Sequence, residues 1–125
     1  MRRPSRQFVV GAERGAVAAV IAFLVGAAAP PDTASDLPGI KAARSIVAEW
    51  ALINRAAAQH RLTPVYAEQM RREARAQLAD QRRAMADPRS PASVEIARLL
   101  ALPPSSDAAT LDRGVARLLQ IEKQL

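Results

Sequence analysis

The side chains able to do chemistry are few and scattered. The sole histidine, His60, has no acidic pair spaced around it in a metal-ligand pattern, and a catalytic or ligand role needs convergent partners. It sits beside an expected helix end, where the macrodipole favours a cation, so a solvated or capping role is expected. The chain holds no cysteine, which excludes disulfides, thiolate metal sites and cysteine nucleophiles together. Glu49, Glu68, Glu73, Asp80, Glu95, Asp112 and Glu122 lie among basic residues at helical spacing. Glu68 with Arg72 and Asp80 with Arg83 read as ordinary surface pairs. There is no glycine-rich phosphate loop, and no Ser-His-Asp set forms without recruiting His60 arbitrarily. No enzyme activity, cofactor or metal is expected.

Arginine is the one chemically distinctive feature. Arg71, Arg72, Arg75, Arg82 and Arg83 crowd one expected helix and could meet anionic head groups, an acidic protein or nucleic acid. The plainer reading is a solvated face. Nucleic acid is the least favoured partner, because no aromatic residue interleaves with the arginines for base stacking. Arginine abundance as such carries little weight, since lysine occurs only at Lys41 and Lys123, as a GC-rich bacterial genome would produce. Arg71, Arg75 and Arg82 are candidate interaction residues, and replacing them by glutamine is expected to leave the fold intact. Trp50 and Tyr66 are the other candidates. Both should pack the first helix on the second, the alternative being contact with a partner.

The elements that would position these residues are helices. Alanine, leucine, arginine and glutamine dominate while β-branched and aromatic residues are sparse, which predicts an all-α fold. Expected is one N-terminal transmembrane or signal helix followed by a small bundle of about four helices. Residues 1–29 form the anchor or signal segment, 30–38 a proline-containing linker and 39–125 the helical domain. The net charge of +6 divides evenly: Arg2, Arg3, Arg6 and Arg14 against Glu13 account for half. The rest of the chain carries the other half, so the high pI is no evidence for nucleic acid.

Residues 15–29, GAVAAVIAFLVGAAA, are apolar, with arginines before and Asp32 and Asp36 after. That asymmetry places the N-terminus in the cytoplasm and the domain in the periplasm. As a helix the run covers about 22 Å, short of the ~30 Å hydrocarbon core, which favours a cleaved signal. Extending it back to Phe8 lengthens the span and favours a retained anchor in the inner membrane, Arg14 snorkelling to the interface. Ala18, Ala22 and Gly26 form a small-xxx-small row for membrane-helix packing, although an alanine-rich run makes some such row almost unavoidable.

Beyond the linker, the first helix is expected over about 39–59 with Ile40, Val47, Trp50, Ile53 or Asn54, and Ala57 on one face. Thr63-Pro64 should open the second, which runs to about Ala86 through Tyr66, Met70, Ala74, Leu78 and Met85. Ser90-Pro91 opens a shorter third helix facing inward through Val94, Ala97 and Leu100 or Ala101. The last starts near Ser106 and faces inward through Leu111, Val115, Leu118, Leu119 and Glu122. So thin a core would gain from a partner surface or an oligomer.

Residues 49–54, E-W-A-L-x-N, followed by residues 62–66, L-T-x-x-Y, resemble a pattern in a group of small, uncharacterised bacterial proteins that are exported or membrane-anchored. The resemblance covers most of the chain after Leu37. It implies an exported helical protein and brings no activity or site residue. The expectation is a non-enzymatic accessory or structural subunit: a single-pass membrane protein whose periplasmic domain packs on a protein partner in a membrane complex, or on its own copies. The alternative is a cleaved, soluble periplasmic binding or chaperone-like module.

Overall fold

The structure, a computed structural model, describes residues 33–125. The expected membrane segment and its row of Ala18, Ala22 and Gly26 lie outside the described residues. Among the described residues no helix is long and apolar enough to cross a membrane.

A 3-10 turn, Thr33–Asp36, leads into four helices: α1 (Leu37–Ala58), α2 (Pro64–Arg83), α3 (Pro91–Leu100) and α4 (Ala108–Lys123). The described residues are all-α and contain no strand. Three of the four helix starts carry side-chain caps. The Thr63 hydroxyl accepts from Tyr66 N, Ser90 Oγ accepts from Ser93 N, and the Asp107 carboxylate accepts from Thr110 N. Each satisfies an orphan donor of the first turn, and Pro64 and Pro91 occupy positions where no donor is needed. Pro38, expected in the linker, occupies the first turn of α1 for the same reason.

The first helix breaks the capping pattern. Asp36 at its start has helical backbone angles and no capping bond, because the 3-10 turn feeds straight into the helix. Its buried carboxylate instead accepts from Ala86 N at 3.1 and 3.3 Å, tying the start of α1 to the segment after α2.

The helices run up, down, up and down. Helix α1 packs on both α2 and α4, and α3 lies across α2 and α4. The core draws Ala43, Val47 and Trp50 from α1, Ala74 and Leu78 from α2, Ile96 and Leu99 from α3, and Leu111 and Leu118 from α4. Each large member contributes roughly 1.5–3 kcal/mol on burial. Gly114 in α4 makes room for the Leu99 side chain of α3. A Cβ on Gly114 would stand 2.5 Å from Leu99 Cδ2, so this helical glycine is fixed by packing despite its poor propensity.

Several expectations need correction. Helix α2 ends at Arg83, and Met85 packs on the core from the following loop. Tyr66 is 52% exposed, its place in the interface taken by Ala67 one residue on. Helix α3 is rotated from its expected facing: Val94 is 55% exposed, while Ala92, Ser93, Glu95, Ile96 and Leu99 are buried. Turning Glu95 inward is possible because Arg98 and Arg117 bond its carboxylate at 2.5 and 3.0 Å. Arg117 comes from a different helix and is invisible to local periodicity. In α4, Leu111 and Leu118 are buried as expected, and Glu122 pairs with Arg44 of α1 at 3.0 Å.

Candidate functional site

The densest polar construction lies where α1 and α2 grip the α3–α4 loop. That loop contains Pro103 and Pro104, which have no N–H to donate, so its carbonyls need donors from elsewhere. Trp50, fully buried in the middle of α1, donates its indole N–H to Pro104 O at 2.8 Å. One turn on, Asn54 Nδ2 donates to Pro104 O at 3.0 Å and to Ser106 O at 2.6 Å. With both amide protons engaged, the direction of Asn54 Oδ1 is set. It accepts Arg71 Nε at 2.6 Å.

Arg75, one turn along α2 from Arg71, donates to Leu102 O at 3.1 Å and Leu100 O at 3.0 Å, and its guanidinium lies 5.2 Å from the centre of the Trp50 ring. It therefore caps the C-terminus of α3, where the macrodipole favours a cation, and stacks on the indole face. Arg82 extends the stripe, Nε donating to Ser93 O at 3.2 Å. Arg71, Arg75 and Arg82 thus point inward, unlike the solvated face expected for them. The expectation that their joint replacement leaves the fold intact is revised, because it would strip donors from backbone carbonyls across α3 and its following loop. The neighbouring stripe behaves as expected: Arg72 pairs with Glu68 at 3.3 Å, and Arg83 pairs with Asp80, all well exposed.

Trp50 is core, leaving no indole surface for a partner. Tyr66 lines a shallow hollow of about 240 Å³ with Glu49, Gln69, Met70 and Glu73. His60 is exposed and has φ 60°, a left-handed residue just past the end of α1. Among the described residues no group of three or more His, Asp or Glu is placed to hold a metal ion. Asn54 was the residue that sequence reasoning undervalued. Its signal was a polar amide one turn from Trp50 within an apolar row.

A hollow of about 310 Å³ opens beside this grip, lined by Glu68, Arg71, Arg72, Arg75, Pro104 and Ser105. Arg71 also lines a wider depression of about 730 Å³ under the α1–α2 turn, with Arg61, His60 and Thr63. The chain matches no family model, no curated protein and no solved structure with which it was compared.

Proposed function

We propose that the protein is a non-enzymatic accessory or structural subunit, held in a bacterial inner membrane by its N-terminal segment, with a periplasmic bundle that packs on a larger membrane complex. The observation that carries this reading is where the buried polar groups go. Asp36, Asn54, Ser90, Ser93 and Glu95 are the buried polar side chains of the described residues, and each bonds within the bundle. A catalytic centre ordinarily holds a buried titratable group aimed into a cleft; here such groups join helices instead. Of the large apolar side chains exposed among the described residues, Leu52, Val65 and Tyr66 belong to the α1–α2 hairpin, Val94 to α3 and Leu125 to the end of the chain, and such exposure supports a protein partner. The basic residues ahead of the apolar run 15–29 support the topology.

Native protein solubilised in mild detergent and sized is expected to migrate with a partner or as an oligomer. Migration as a free 13.4 kDa protomer would overturn the accessory-subunit reading. N-terminal sequencing of the same material tests the anchor. An intact Met1 is expected, and a start near Ala29 or Pro30 would assign the chain to the soluble periplasm.

A further inference from the structure

We propose that the hollow between the first half of α2 and the α3–α4 loop is an oxyanion site that takes a phosphate group. It is lined by three arginines against one carboxylate, Glu68, leaving an excess of two positive charges. None of the three is neutralised in the way a structural ion pair would neutralise it. Arg75 bonds neutral carbonyls, Arg71 bonds a neutral amide, and the Arg72–Glu68 pair is 3.3 Å long with both partners more than two-thirds exposed. A pair so exposed holds together weakly, and an incoming dianion would compete for Arg72.

The geometry of Arg71 is what makes a site of this charge. Its Nε is fastened to Asn54 Oδ1, itself aimed by two bonds to the loop, so the guanidinium plane is oriented before any ligand arrives. Its two Nη groups meet no acceptor among the described residues. A fixed planar fork with its outer donors open is the arrangement that recognises phosphate oxygens bidentately. Ser105 lines the opposite wall, and neither its N–H nor its hydroxyl donates to a described residue. A phosphate monoester, with close to two negative charges and several acceptor oxygens, matches that excess.

The hollow lies at the end of the bundle that holds Asn54, about 26 Å along the axis of α1 from Leu37. The site does not depend on the accessory-subunit reading and stands whether the N-terminal segment is retained or removed.

The test is titration of inorganic phosphate into the full chain in non-ionic detergent, read by NMR at the arginine Nε–Hε signals, with phosphatidylglycerol vesicles as a second arm. Saturable millimolar binding that moves the Arg71 and Arg72 signals is expected. Arg72→Gln, an exposed change that spares the fold, should weaken binding about fivefold, and Arg71→Lys, which keeps the charge but loses the fork, by a similar factor. Glu68→Gln should tighten it about threefold by removing the opposing charge. That opposite sign is not expected of residues with only structural roles. Phosphate that fails to saturate, or an affinity indifferent to both Arg72→Gln and Glu68→Gln, overturns the proposal. So does vesicle binding that free phosphate does not displace, which would assign the arginines to a membrane surface.

Discussion

Two connections lie side by side at the same end of the bundle and are closed in opposite ways. The α1–α2 turn closes on its own backbone. Arg61 N donates to Ala56 O at 2.9 Å and His60 N to Ala57 O at 3.0 Å, the crossed pair of a Schellman motif, with left-handed His60 where glycine is usual. The α3–α4 loop does little of this for itself. Ser106 folds back on Pro103 O through its N–H and its hydroxyl, while the carbonyls of Leu100, Leu102, Pro104 and Ser106 are met by side chains of α1 and α2. The difference follows from the prolines. A loop with two consecutive residues lacking N–H cannot supply the donors that a self-closing turn uses.

Breaking the borrowed closure should have the largest effect. Trp50→Ala removes the core's largest side chain together with its bond to Pro104 O and is expected to cost about 3–5 kcal/mol. Asn54→Ala strands Arg71 and Ser106 O, at about 2–4 kcal/mol. Both are read by chemical denaturation of the full chain, and a loss below about 1 kcal/mol for Asn54→Ala would mean that Asn54 does not hold the loop.

The two arginine stripes of α2 sharpen the same point. Arg75→Gln should destabilise by about 1–3 kcal/mol, since two carbonyls lose their donors and the Trp50 ring its cation. Arg72→Gln, one residue along the chain from Arg71, should change stability by no more than about 0.5 kcal/mol. Equal effects of the two would remove the distinction between an inward and an outward stripe.

At the self-closed turn the expected change is a gain. His60→Gly should stabilise by about 0.5–1 kcal/mol, because glycine takes positive φ without the Cβ penalty. Loss of stability on that substitution would mean that the imidazole makes a contact outweighing its backbone strain.

The smallest effect is a pH dependence at the start of α4. The Asp107 carboxyl is held below its ordinary 3.8, first by the side-chain hydrogen bond with Thr110 and then by the Thr110 backbone N–H, with Arg113 adding to both. A depressed carboxyl stabilises the fold above 3.8 and loses that contribution as pH falls through its folded value. The cap should therefore persist through neutral and mildly acidic pH and weaken only in strong acid. NMR titration of the Asp107 carboxyl checks this; a midpoint at or above 3.8 would show that the cap does not hold the charged form.

Much of the fold was legible in the residues themselves. Thr63-Pro64 and Ser90-Pro91 mark two helix starts because capping and proline geometry are decided within four residues. The inward faces of α1 and α4 follow from long apolar rows. Facing failed where the helix was short: ten residues of α3 offered two comparable apolar rows, and the choice rested on whether Glu95 could be paired. The arginines failed for a related reason. Composition marked α2 as cationic, but whether a guanidinium meets water or a carbonyl depends on what stands opposite it.

What the sequence determined alone was local: helix content, the breaks between helices, the caps, and the apolar run 15–29 behind its arginines. Those properties arise between residues a few positions apart, where periodicity and backbone chemistry suffice. Only the tertiary structure decided that Arg71 and Arg75 turn inward, that Glu95 is buried between two arginines, and that Asp36 caps no helix but holds Ala86 N. The physical reason is that a polar group's energy depends on finding a partner once water is removed. Apart from Arg98, which follows Glu95 by three positions, the partners here lie some 17 to 50 positions away along the chain.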